Sequence, residues 1–144
     1  MKRLNKIGAL IGTLDYVEAM TDVTGFGLLG HLSEMCEASD MNAVIDFQKV
    51  PLLNKEAIDY YLNEKCIPGG TVRNFDSYGH KIGTLTDYQR AILCDPQTSG
   101  GLLVAVIADK ADDFKEILRG QGIEAEPMGY FVKKLEGHYL VEII

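Results

Sequence analysis

The sequence predicts an α+β domain built on a mixed β-sheet of about four to five strands flanked by helices. Two observations carry that expectation: hydrophobic spacing switches between a strand period and a helix period through the first 65 residues, and the chain closes on two strand-like segments in succession rather than on a helix between strands. A length of 144 residues, 47% of them apolar, suits one core and is short for two, so residues 1–144 read as a single domain.

The elements follow in order. Met1 to Ile7 has helical spacing at Leu4 and Ile7 but no capping residue before it, so the chain reads as a fragment opening inside a helix. Asp15 to Met20 reads as a short strand ending at Thr21-Asp22, and a glycine-punctuated turn follows. Phe26, Leu29, Leu32, Met35 and Cys36 then recur at three- and four-residue steps, which predicts a helix from about Gly27 to Ala38. Asn42 to Phe47 alternates as a strand, and Asn54 to Lys65 returns to helix with Ala57, Ile58, Tyr61 and Leu62 inward. Cys66 to Leu85 has no clear period and reads as loop with some helix. Thr86 caps a helix to Leu93, and the continuous apolar run Leu102 to Ile107 predicts a central strand. Asp109 is placed as the cap of a helix over Lys110 to Arg119 that Gly120 and Gly122 stop. Glu124 to Leu135, broken near Pro127 and Gly129, and His138 to Ile144 predict two strands in a hairpin turning at Glu136-Gly137.

Bulk chemistry excludes several functions. A net charge of -7 opposes a phosphate-backbone reader, which needs clustered cations, so no nucleic-acid partner is expected. Cys36, Cys66 and Cys94 show no zinc spacing and leave an odd thiol, which fits reduced cytoplasm; each reads as a buried, inert cysteine. No apolar run approaches the roughly 18 residues of a membrane span. His31, on the polar side of the first long helix, His80 and His138 have no metal-ligand spacing and read as structural or exposed.

Chemistry concentrates at Thr21-Asp22-Val23-Thr24-Gly25-Phe26-Gly27. A carboxylate at a strand end favours a cation, while unpaired amides at the following helix N-terminus favour an anion. Together they suit Mg²⁺ bound to phosphate, because Mg²⁺ takes one or two protein carboxylates and completes its octahedron with phosphate and water. The alternative is that Asp22 and Thr24 only cap the helix and the glycines only turn the chain. Gly25-x-Gly27-x-x-Gly30, with Asp46 21 residues beyond Gly25, also satisfies a dinucleotide fingerprint. Against NAD, Asp22 would face the pyrophosphate and no second βαβ half is evident. Cys94 to Gly101 forms a polar loop leading into an apolar strand, either a binding edge or an elaborate turn.

TDVTGFGLLGHL at 21–32, PGGTVRNFDSYG at 68–79 and CDPQTSGGLL at 94–103 resemble, in order and separation, the C-terminal domain of the selenide, water dikinase (selenophosphate synthetase) family. That family sits in the aminoimidazole ribonucleotide synthetase superfamily of two-domain, ATP-using dimers. The resemblance implies an enzyme making selenophosphate from ATP, selenide and water, with release of AMP and phosphate, and an α+β C-terminal fold. It also implies that Asp22 helps ligate Mg²⁺ on the ATP phosphates and that Thr24 and Gly25 line that site. Arg73, Asn74 and Gln97 match family motifs without an assigned step, and a hydrogen-bonded structural role suits Asn74 and Gln97 at least as well as ligand contact. The family's N-terminal half, with its reactive cysteine or selenocysteine, lysine and most ATP ligands, is absent here. The resemblance thus implies a domain inactive by itself, whose partner is its own N-terminal domain in a homodimer. Another enzyme of the same superfamily is the nearest alternative.

Overall fold

The computed structural model describes residues 4–144. In chain order it contains α1 (Ile7–Ile11), β1 (Val17–Asp22), α2 (Gly27–Ser39), β2 (Met41–Ile45), α3 (Lys55–Asn63), α4 (Gly69–Tyr78), α5 (Asp87–Leu93), β3 (Leu102–Val106), α6 (Ala111–Gly120), β4 (Gly129–Lys133) and β5 (Val141–Ile143). Short 3-10 turns lie at Phe47–Lys49, Gly79–Lys81 and Ala108–Lys110. The α+β class holds, and the strands divide between two sheets: β1 pairs antiparallel with β3, while β4-β2-β5 is mixed, with β2 antiparallel to β4 and parallel to β5.

Local chemistry explains most boundaries. Asn54 accepts from the Ala57 amide to start α3, and Thr86 with Gln89 forms a reciprocal capping box at α5. Asp40, in the left-handed region at φ 53°, ends α2 and turns the chain into β2. The core gathers where α2 covers β2 and β5. Leu29, Leu32 and Cys36 of α2 join Ala43 and Ile45 of β2, Val141 of β5, and Leu93 and Leu103. The fully enclosed leucines each contribute about 1.5–3 kcal/mol of transfer free energy.

Five expectations change. The Met1–Ile7 helix falls partly on residues 1–3, outside the described residues; the helix runs instead from Ile7 to Ile11, with no side-chain cap at Lys6. The segment expected as loop with some helix carries a ten-residue helix, α4, over Gly69–Tyr78. The Leu102 run is not central: among the described residues β3 pairs only with β1, and Leu103 alone of its five residues is buried. Asp109 lies inside a 3-10 turn and does not cap α6, whose N-cap position is Lys110 with no side-chain bond.

The expected C-terminal hairpin is absent too, because β2 lies between β4 and β5. The connecting chain crosses the end of β2, and buried Asn42 fastens it there. Its carboxamide donates to the Tyr139 carbonyl, and its oxygen accepts from the Leu135 amide at 3.0 Å.

Candidate functional site

The segment from Asp22 to Gly27 joins the end of β1 to the start of α2, and the other two motifs hold it by its backbone. The β1–β3 ladder extends past both strands: Val23 N–H donates to Gly101 O and Gly100 N–H to Val23 O, both at 3.0 Å. Gln97 N–H donates to Thr24 O at 3.0 Å. The Asn74 side-chain amide donates to Gly25 O and to Cys94 O, each at 2.9 Å, and Tyr78 O–H donates to Phe26 O at 2.7 Å. Four successive carbonyls, Val23 to Phe26, thus accept hydrogen bonds from groups in the second and third motifs. Among the described residues the Thr24, Gly25 and Phe26 amides find no acceptor.

Asp22 projects from the last residue of β1, exposed, and its carboxylate has no hydrogen-bond or ion-pair partner among the described residues. Neither it nor Thr24 caps α2: Phe26 holds the N-cap position without a side-chain bond. Thr24 Oγ1 instead lies 3.2 Å from His31 Nε2, and His31 Nδ1 lies 3.1 Å from Glu34 Oε2. A carboxylate can only accept, so Nδ1 donates to Glu34, and in the tautomer with its hydrogen on Nδ1 the Nε2 atom accepts a hydrogen bond from the Thr24 hydroxyl. His31 is therefore buried, 8% exposed, rather than on a polar face. Its seven-residue separation from Thr24 across a helix start was the available signal, and hydropathy does not register it.

The glycines separate into distinct jobs. A Cβ on Gly27, at φ 70°, would stand 2.8 Å from the Cys94 carbonyl carbon, and one on Gly30 would stand 2.9 Å from the Tyr78 ring. These two admit the protein's own chain, whereas Gly25 faces open space. Asp46 accepts from the Gln48 amide and pairs with Lys49 at 3.1 Å. The dinucleotide reading therefore loses two glycines and its ribose acid to structural work.

In the Cys94–Gly101 loop, Asp95 accepts from Thr71 Oγ1 at 3.1 Å and from Gln97 Nε2 at 2.7 Å. Burial pushes its carboxyl above the ordinary range, and those two hydrogen bonds oppose the shift. Burial raises the Tyr78 phenol as well, with the neighbouring Cys94 adding to it, so the phenol stays a donor to Phe26. The Cys94 and Cys36 thiols are enclosed, and burial lifts Cys36 to about 11. Cys66, expected to be buried, is exposed. Arg73, in α4, is exposed and takes no part in this network.

Among the described residues no three His, Cys, Asp or Glu side chains cluster as a metal cage. A lone strand-end carboxylate fits Mg²⁺ only as one ligand of a shared shell, which is how Mg²⁺ is held beside phosphates. A depression beside Thr71, bounded by Val72, Phe75, Asp76 and Arg90, measures about 80 Å³, well below the roughly 300 Å³ at which ligand pockets begin. No helix among the described residues is long and apolar enough to cross a membrane.

The chain is similar to known proteins over its whole length. The chain is 51% identical over 143 residues to a selenide, water dikinase of Photorhabdus laumondii, covering 99% of this chain and 41% of that protein. It is 53% identical over 144 residues to one of a Sulfurovum species and 49% identical over 144 residues to one of Yersinia pseudotuberculosis, each covering all of this chain and 41% of the relative. The chain thus spans about two fifths of the length of the curated relatives it matches. Residues 1–140 match the family described as AIR synthase related protein, C-terminal domain, and the chain belongs to that family.

Proposed function

We propose that the chain is the C-terminal domain of a selenide, water dikinase that makes selenophosphate from ATP, selenide and water and releases AMP and phosphate. Asp22 serves there as one carboxylate ligand to Mg²⁺ on the ATP phosphates, and Thr24 and Gly25 line the same site. The observation that carries the reading is the Asp22 carboxylate itself: exposed, unpartnered and not a cap, at the end of a strand whose following turn is braced on four consecutive carbonyls. The identity of about half with relatives bearing that name supports the substrate assignment.

Bound Mg²⁺ would neutralise charge on the phosphates, the main demand of phosphoryl transfer beyond alignment. The chain's own residues offer one carboxylate at the end of β1 and, among the described residues, three amides without an acceptor at Thr24, Gly25 and Phe26. Gly25 leaves room for close approach. The remaining ligands and the nucleophile belong to an N-terminal domain, in a cytoplasmic homodimer, so the chain alone turns over no ATP. Asp22→Asn in the full-length enzyme tests the reading. Mg²⁺-dependent selenophosphate formation should fall at least about a hundredfold, in the range of a lost charge-stabilising contact, with the melting temperature unchanged. Unchanged activity overturns it.

A further inference from the structure

Asn74 is 9% exposed, yet it belongs to the stretch of sequence with the least apolar patterning. Its position on α4 brings its carboxamide against two carbonyls from two different loops, Gly25 O and Cys94 O, both at 2.9 Å. A carboxamide has two N–H donors on one nitrogen, so a single side chain can satisfy both carbonyls, and neither a hydroxyl nor a carboxylate can. Thr71, one turn earlier on the same face, binds Asp95 in the second loop, and Tyr78, one turn later, binds Phe26 in the first. The inward face of α4 is therefore a row of polar side chains directed at the two loops, and among the described residues Asn74 is the member whose side chain hydrogen-bonds the backbone of both.

From this we infer that Asn74 is a positioning residue for the Asp22 carboxylate. The inference rests on the metal-ligand reading of Asp22 given above. Asn74 acts through Gly25, three residues from Asp22 in a turn with no other side-chain hydrogen bond to the Gly25 carbonyl among the described residues. With the donors removed, the buried Cys94 carbonyl and the Gly25 carbonyl in the exposed turn both lose this partner, and Gly25 is released from the Cys94 loop. The turn then keeps its ladder at Val23 but loses its register at Gly25, so the carboxylate samples orientations that do not meet the metal. The variants should still fold, because Asn74 is not part of the apolar core around Leu29, Leu32 and Leu93.

The test uses the full-length enzyme with Mn²⁺ and ATP, metal binding being read by electron paramagnetic resonance separately from turnover. Asn74→Asp keeps the shape and replaces the donor nitrogen by an acceptor; Asn74→Ala removes the group. Both should weaken Mn²⁺ binding in the presence of ATP by about tenfold, the scale of a buried hydrogen bond left unmade. Hydrogen exchange in a peptide spanning residues 22–28 should accelerate, and excess metal should restore most of kcat. A folded variant with wild-type Mn²⁺ affinity overturns the proposal, and so does loss of folding in both variants, which would make Asn74 a structural residue. Asp22→Asn, run alongside, separates the two claims: if it retains metal binding, the ligand reading fails. If it loses binding while both Asn74 variants keep theirs, only the positioning role fails.

Discussion

Replacing Gly27 by alanine should damage the protein, while the same change at Gly25, two residues earlier in the same turn, should not. Gly27 has φ 70°, and a Cβ there would meet the backbone of Cys94 and Asp95 at 2.8–3.0 Å. The left-handed conformation costs a non-glycine residue roughly 1–2 kcal/mol. Displacing packed backbone adds roughly 1–3 kcal/mol, as for other overpacked positions, for a sum of about 2–5 kcal/mol. The contact cannot be relieved by rotating a side chain, because the obstructing atoms are main chain on a loop hydrogen-bonded at Cys94 O. For a chain of this size each kcal/mol moves the midpoint by about 2–4 °C, so thermal denaturation followed by circular dichroism should show Gly27→Ala melting on the order of 10 °C lower. Gly25 has no atom within 4 Å of its added Cβ and no positive φ, and Gly25→Ala should melt within about 1 °C of the parent. Equal midpoints for the two variants would refute the assignment of Gly27 to backbone packing.

Thiol accessibility and pH supply two further checks. Under native conditions a thiol reagent should modify Cys66 quickly and leave Cys36 and Cys94 untouched until unfolding, because the latter two are enclosed and burial raises both thiols; three equally fast thiols would contradict the packing of α2 against α5. For Asp95 the folded-state pKa lies above the unfolded one, so the folded protein holds that proton more tightly. Its contribution to stability is most favourable at low pH and declines as pH rises through the carboxylate range toward the raised value. Measured against Asp95→Asn, denaturant midpoints of the parent should therefore fall progressively from acid toward neutral pH, and an opposite slope would mean that the Thr71 and Gln97 hydrogen bonds outweigh burial.

The parts of the fold that were legible in the sequence are those whose buried faces are apolar or whose ends carry caps. Leu29, Leu32 and Cys36 announce α2 by spacing, and Asn54 and Thr86 announce the starts of α3 and α5. Helix α4 escaped because its buried positions, Thr71, Asn74 and Tyr78, repeat at helical steps in polar residues, and because Pro68-Gly69-Gly70 opens it without a side-chain cap. Its periodicity is present, but in hydrogen-bonding capacity rather than in hydropathy. The hairpin failed for a different reason: alternation reports which face of a strand is buried, and β4 and β5 keep that pattern whether they pair with each other or straddle β2. At the candidate site, Asp22, Thr24 and Gly25 were visible from chemistry and resemblance. A hydrogen-bonded role for Asn74 was expected, but not its partners, and the bond from Tyr78 was not foreseen, since these contacts link residues 49 and 52 positions apart; the His31 contact, only seven residues from Thr24, is invisible to hydropathy.

The central place of β2 between β4 and β5 has a consequence for how the protein is made. On the ribosome β2 emerges about a hundred residues before β5, which at synthesis rates of roughly 5–20 residues per second is a delay of about 5–20 s. For most of that interval, until β4 is made, Met41-Asn42-Ala43-Val44-Ile45 has neither of its final neighbours, and both of its hydrogen-bonding edges are open to other nascent chains. Helix α2, already synthesised and destined to cover the same strand, is the one shelter within reach, so the nascent chain depends on early α2–β2 docking to stay out of aggregates.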